Sequence, residues 1–388
     1  MTTASIIFRG GFLAASLLWP SAQSLASSSG AAEPVAPANA WPMFRGTRSL
    51  NGVTAARLPD TLQLKWSVKT DGPVKGAAAV VEGVVYAGSE DGTFRALRLA
   101  DGAKVWEFKA DGPIVSSPLV LNGHVYFGSA GTNVYALNSK DGTLAWTYGT
   151  EGEVKSSPTP FRSPDGKEDW LVIGGYDNRL HCLSAETGKT NWVHETSNFI
   201  NGAPAVGDGM TAFGGCDEIV HVIRLSDGTV LKEIEAGAYI IGSAAVLGGM
   251  AYVGHYRNEF LAVDLTKGEI AWRYRDRNFP YGASPAVTSD RVLFGGRDKR
   301  LHAVNRSTGE SIWVFPTRGA VESSPVVAGD KVVFGSDDGR VYVVGLADGK
   351  ERWNYEIGQP VQSSAAVVDG HVVIGADDGG IYCFSGPK

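Results

Sequence analysis

A tryptophan returns along this chain about every forty residues. Trp66, Trp106 and Trp146 are each 40 residues apart, Trp192 follows after 46, and Lys232 takes the next place 40 further on. Trp272, Trp313 and Trp353 complete the series at steps of 40, 41 and 40. The long step holds an insertion, FRSPDGKEDW (161–170). Self-similarity at such a period marks a repeat architecture, in which each unit buries its apolar face only against its neighbours.

Within each unit four short apolar runs recur, as in VESSPVV (321–327), KVVFGS (331–336), RVYVVGL (340–346) and KERWNYE (350–356). Alternating apolar, β-branched and aromatic residues between Gly and Asp punctuation read as strands. Four antiparallel strands per unit of this length make a propeller blade. The final unit has only three runs, VQSSAAVV, HVVIGA and GIYCFS, and its missing fourth lies at the other end as LQLKWSVKT around Trp66. The sequence therefore predicts an all-β, eight-bladed β-propeller of four-stranded antiparallel blades. An N-terminal strand completes the last blade, so no sheet edge is left open.

The segment before the repeats reads as an export signal over 1–26: Arg9, the apolar GGFLAASLLWP, and SLA ahead of a cleavage point at Ser27. A flexible leader is expected over 27–40 and a single propeller domain over 41–388. WPMFRGTRSLNG (41–52) is expected along the outside or rim of the last blade, anchored by Trp41 and Phe44. AYIIGSAAVLGGMAYVG (238–254) is apolar, but its glycines fall at blade turns, so it reads as core strands and not as a membrane span. The chain carries no cysteine just after the signal, so a lipid anchor is not expected and the protein is peripheral to a membrane at most.

Among 388 residues, charged side chains make up 20% and the net charge is −6, which argues against nucleic-acid binding. Three cysteines, Cys182, Cys216 and Cys383, are too few and too far apart for a disulfide framework. Cys182 and Cys383 stand where other units carry alanine, so small buried core roles are expected. Asp337–Asp338–Gly339 matches SEDG, GYDN, GCDE, GRDK and ADDG in other units. Asp, Asn and Gly favour tight hairpin turns, and a calcium loop would need more oxygen ligands at set spacing. His181, His221 and His302 occupy the position held elsewhere by Tyr135, Tyr342 and Tyr382. They fall on different blades, too far apart for one ion, and no metal site is expected.

Two sets of residues are candidates for binding. The position three before the Pro or Ala of each SSP-like run holds Lys75, Val115, Lys155, Asn201, Ile241, Gly282, Glu322 and Gln362, which should ring the central channel. Blades 5 and 6 add HYRNE (255–259), RYRDRNFPYG (273–282) and GRDKR (296–300). These loops should bring Arg257, Arg275, Arg277, Arg297 and Lys299 beside Tyr256, Phe279 and Tyr281 on one face. Arginine forks match planar anions and stack on rings, so the patch suits carboxylates, phosphate or a peptide. Neutralisation of the arginines by Glu259, Asp276 and Asp298 is the alternative.

The pattern Ala–Leu–x–x–x–x–Gly–x–x–x–Trp, as in ALRLADGAKVW and ALNSKDGTLAW, resembles the tryptophan-docking repeat of the PQQ-like (pyrroloquinoline quinone) propellers. The resemblance covers nearly the whole chain after the signal. It implies that each tryptophan packs between neighbouring blades, and Lys232 departs from it. That family holds quinoprotein dehydrogenases and also cofactor-free propellers such as the BamB-type outer-membrane assembly factors. The dehydrogenases typically carry adjacent cysteines and a calcium ion beside a catalytic aspartate, neither of which is recognisable here. The resemblance thus implies a periplasmic or secreted, monomeric, non-catalytic binding module for an envelope protein, without a cofactor. The alternatives are a quinoprotein oxidoreductase using PQQ and calcium, or a binder of a small anion or carbohydrate.

Overall fold

The computed structural model describes residue 1 and residues 34–387. The export signal over 1–26 and the first part of the leader lie outside the described residues. The rest is all-β, with eight sheets following one another in chain order. Blade 1 takes its strands from Ala79–Val81, Val84–Gly88, Thr93–Arg98 and Lys104–Lys109, innermost to outermost, and blades 2 to 7 repeat the plan. Blade 8 combines Ala366–Val368, His371–Gly375 and Gly380–Ser385 with the N-terminal strand Gln63–Lys69, paired from Gln63↔Ser385 to Lys69↔Gly380. The ring is shut as the sequence requires. Among the described residues no helix is long and apolar enough to cross a membrane.

The tryptophans explain the period. The ladder between the third and outermost strands slips by one residue just before each tryptophan, for example between Ala96↔Trp106 and Leu97↔Lys104. This bulge turns the side chain toward the next blade. Trp66 Nε1 donates to the carbonyl of Leu99, Trp106 to Ser139, Trp146 to Ala185, Trp192 to Leu225, Trp272 to Arg306 and Trp313 to Leu346, all at 2.8–3.0 Å. Each ring lies on a glycine of that next blade. At Gly142, with φ +74°, a Cβ would sit 2.5 Å from the Trp106 ring. Glycine is required there twice over, by its backbone angle and by the indole above it. Lys232 is the exception, and its aliphatic stem covers Gly268 in the same way. Trp353 packs on Phe384 instead.

Near the axis, the Ser-Ser-Pro repeats form a belt. Ser117 N–H donates to Ser157 Oγ, Ser243 N–H to Ser284 Oγ, Ser284 N–H to Ser324 Oγ and Ser324 N–H to Ser364 Oγ, each step joining adjacent blades. These bonds satisfy backbone donors where the innermost strands converge and cannot pair with one another.

The segment before the closing strand departs from expectation. It does not run along the rim of blade 8; it circles the inside of the ring. The carbonyls of Pro42, Arg48, Ser49, Asn51 and Gly52 accept the N–H groups of Val120, Val206, Val246, Val287 and Val327, on blades 2, 4, 5, 6 and 7. Trp41 exchanges two bonds with Val80 of blade 1, and Ala38 accepts from Asp369 of blade 8. Among the described residues only blade 3 is passed over, and there the second residue of the innermost strand, Thr159–Arg162, is Pro160, which has no N–H to give. Val53–Thr54 adds a fifth, parallel strand to blade 7, and Thr54 also bridges Ala36. Residues 34–40, expected as the end of a flexible leader, are therefore held, with Ala36 fully buried. The physical reason is that innermost strands present free donors to the channel, and an extended segment with matching carbonyls satisfies them. Arg45 is buried within this plug, donating to the carbonyls of Pro285, Ser324 and Pro325.

Candidate functional site

With one mouth of the channel filled by the plug, the other forms a funnel of about 190 Å³ whose floor includes Phe44. Its wall contains Lys75, Val115, Lys155, Asn201, Ile241, Glu322 and Gln362, seven of the eight positions aligned in the sequence. Side chains from a second ring surround them. In each blade the second residue of the turn between strands two and three bonds back to the preceding inter-blade loop: Glu90 N–H to Pro73 O, Ala130 to Pro113, Tyr176 to Glu153, Cys216 to Phe199, Tyr256 to Tyr239, Arg297 to Pro280, Asp337 to Ala320 and Asp377 to Pro360. Sequence reasoning named only Tyr256 and Arg297 of this ring and missed the rest. Its signal was the variability of that one turn position beside an aspartate kept in six of the eight turns.

The two rings divide the funnel electrostatically. Blades 7, 8 and 1 contribute Glu322, Asp337, Asp377 and Glu90. Burial, opposed by the Gln362 hydrogen bond at 3.2 Å and reinforced by Glu322 and Asp377, holds the Asp337 carboxyl above its ordinary range. Burial does the same for Asp377, against the charge of Lys75 and with that of Glu90. The cations nearest the funnel are engaged: Lys75 with Glu90 at 3.3 Å, Lys155 with Glu153 at 2.5 Å and Arg297 with Glu322.

Blades 3 to 6 are aromatic and basic. Tyr176 stacks on Phe199 at 4.7 Å, Lys155 lies 4.5 Å from the Tyr176 ring, and Tyr176 bonds Asn201, whose amide reaches Cys216 Sγ at 3.0 Å. Tyr239, Tyr256 and Phe279 are 49%, 41% and 47% exposed, unusual for rings of this size. Tyr256 receives a hydrogen bond from Arg297 at 2.9 Å, and Asn258 bonds Asn278, so the three predicted loops do meet on one face.

The acids expected to neutralise the arginines are committed elsewhere. Glu259 pairs with Arg273 at 2.7 Å, Asp276 with Arg300 at 2.7 Å, and Asp298 with His302 at 3.0 Å. Arg257, Arg275, Arg277 and Lys299 are exposed and have no carboxylate within 4.0 Å among the described residues. Tyr281 is a correction. It is 1% exposed, because it takes the place held in other loops by Val74, Ile114 or Ile240 and packs against Gly254. It supports the loop from within.

The remaining sequence candidates are structural. Asp338 accepts from Tyr342 Oη at 2.8 Å and from the N–H of Arg340, with Gly339 at φ +84°, so the acidic turn is a brace. Asp177, Asp217 and Asp298 brace His181, His221 and His302 in the same way. Those histidines are buried outright, more deeply than a half-buried surface position. Cys182 and Cys383 are buried and Cys216 lies in its turn, all as free thiols.

Residues 52–166, 162–236 and 217–386 match the family described as "Outer membrane protein assembly factor BamB". The chain belongs to that family. Among solved structures it is similar to BamB from Moraxella catarrhalis, with 17% identity, a TM-score of 0.70, and coverage of 84% of this chain and 100% of that one. The computationally designed Ika8 protein gives 18% identity and a TM-score of 0.74 over 83% and 99% of the two chains. A europium-containing methanol dehydrogenase gives 12% and 0.72 over 89% and 98%. At such identities these likenesses concern the fold. No curated protein matches the sequence.

Proposed function

We propose that the protein is a non-catalytic binding module of the cell envelope, which holds a protein partner on the funnel face of blades 3 to 6. The observation that carries this reading is the set of four exposed cations without carboxylate partners, Arg257, Arg275, Arg277 and Lys299, beside the exposed rings of Tyr256 and Phe279. Aromatic and arginine side chains on rigidly held loops are what protein interfaces use as anchors. The BamB family description and the apolar stretch behind Arg9 support an envelope setting. An acidic segment of the partner complements the charge.

An oxidoreductase using PQQ is the catalytic alternative. The funnel residues do not fit that cofactor. PQQ carries three carboxylates, and the wall already presents Glu322, while its cations, Lys75 and Lys155, are paired with neighbouring acids. Cys216 is a lone thiol there and has no adjacent cysteine.

A photo-crosslinking residue at Phe279, in cells, tests the reading. A discrete crosslinked partner is expected, and it should vanish when Arg275 and Arg277 are both changed to Glu. Replacing Arg275 and Arg297 together should do the same, with an added contribution from the broken Glu322 pair. Unchanged crosslinking, or dye reduction by purified protein supplied with PQQ and calcium, overturns it.

A further inference from the structure

Three successive loops on the funnel face, those entering blades 4, 5 and 6, each carry an exposed ring. These are Phe199, Tyr239 and Phe279, at 42%, 49% and 47% exposure. The loop carbonyl that meets the neighbouring turn belongs to Phe199 and Tyr239 in two of these loops, and to Pro280, just after Phe279, in the third. In the other five blades that place holds Pro73, Pro113, Glu153, Ala320 or Pro360, none of them aromatic. The rings are therefore confined to one arc of the rim. Leaving so much apolar surface in water is unfavourable, and a ligand that covers it recovers that free energy.

Cations stand at both ends of the arc. At one end Phe199 stacks on Tyr176 with planes 5° apart, and Lys155 lies 4.5 Å from the Tyr176 ring centre. At the other, Arg297 sits 5.2 Å from the Tyr256 ring centre, next to the unpaired Arg257, Arg275 and Arg277. The backbone of the three loops, by contrast, is already satisfied. The carbonyls of Phe199, Tyr239 and Pro280 accept from Cys216, Tyr256 and Arg297, and the N–H groups of Ile200, Ile240 and Tyr281 donate to Gly175, Gly215 and His255. A strand laid against the arc finds no run of free donors and acceptors to pair with. A helix needs a continuous apolar groove, and here rings alternate with cations. What remains is recognition by side chains: rings that stack on flat apolar groups, and guanidinium forks that hold carboxylates.

We propose that this arc binds an extended, proline-bearing acidic segment of the partner in the polyproline II conformation. The proposal rests on the reading of the funnel face as the partner surface and adds what that surface selects. A polyproline II chain makes no internal hydrogen bonds and is stiffened by its prolines, so little ordering entropy is lost when it binds. Its pyrrolidine rings cover Phe199, Tyr239 and Phe279, and its carboxylates take Arg257, Arg275 and Arg277. The acids of blades 7, 8 and 1 repel such a segment from the opposite half of the funnel, which fixes where it lies.

Fluorescence anisotropy with three labelled twelve-residue probes tests the proposal: four repeats of Pro-Pro-Glu, of Gly-Ser-Glu and of Pro-Pro-Lys. The first should bind at least about tenfold tighter than the second, and the third should not bind. Tyr239→Ser and Phe279→Ser, both at exposed positions, should each weaken the first probe at least about fivefold and leave Tm unchanged. Equal affinity for the two acidic probes, or parental binding by Tyr239→Ser, overturns the proposal and leaves charge alone as what the face reads. Absence of binding to every probe while Phe279 still crosslinks a partner in cells overturns the segment class and leaves the partner surface standing. Loss of the crosslink as well refutes the surface itself.

Discussion

Lys232→Trp should stabilise the ring, and the gain can be worked from its neighbours. At six junctions an indole covers a positive-φ glycine and donates to the carbonyl three residues before it. At the blade 4–5 junction Gly268 has φ +78° and lies under the Lys232 stem, and Leu265 stands three residues before it. The receptor for an indole is thus already built. A hydrogen bond to the Leu265 carbonyl contributes about 1 kcal/mol. Burying roughly 60 Å² more apolar surface than the lysine stem adds about 1.5 kcal/mol at about 25 cal/mol per Å². Loss of side-chain freedom offsets about 0.5 kcal/mol, leaving about 2 kcal/mol. For a chain of this size, at about 2.1 cal/mol/K of unfolding entropy per residue, that corresponds to a rise of about 2.5 °C in Tm. Differential scanning calorimetry at fixed pH and salt reads it. A Tm equal to or below that of the parent would refute the view that junctions are interchangeable and that the indole is their common stabilising element.

The same geometry predicts that Gly142→Ala lowers stability by about 2 kcal/mol or more, since a Cβ meets the Trp106 ring and the backbone sits at φ +74°; urea denaturation measures it. Burial lowers the Arg45 pKa to about 9, so the group remains charged at neutral pH, held by three carbonyls. Arg45→Met should therefore cost about 2–5 kcal/mol and expose residues 34–52 to limited proteolysis. For Asp337 the folded pKa lies above the unfolded one, so its ionisation opposes folding. Stability is greatest below the unfolded value and declines as pH rises through the folded one. Asp337→Asn should raise Tm at pH 7 and leave it nearly unchanged near pH 4; an equal shift at both values would exclude this electrostatic cause.

Much of this architecture was legible in the sequence because each element repeats. The tryptophan period reports a junction that must recur at every blade. The three-stranded last unit, with its missing strand near Trp66, announces ring closure. The turn acids read as hairpin turns and not as a calcium loop, because Lys299 and Glu218 stand where other units carry glycine or asparagine; their role as braces came from the structure. The basic patch was placed by counting loops, since the ring sets every turn of one kind on one face.

What the sequence by itself determined is therefore whatever depends on local pattern and period: strands, turns, blade count and the closing strand. Only the tertiary structure decided features made by residues distant along the chain. The plug over 34–54 pairs with seven blades through backbone groups, which leave no side-chain signature apart from Pro160 at the blade it passes. Tyr281 looks like an exposed aromatic in its loop, but the space against Gly254 draws it inward, because burying a ring there excludes water from the junction. The exposed rings of Phe199 and Tyr239 were equally invisible. Whether a loop aromatic faces solvent depends on what the neighbouring blade places against it, and only packing settles that.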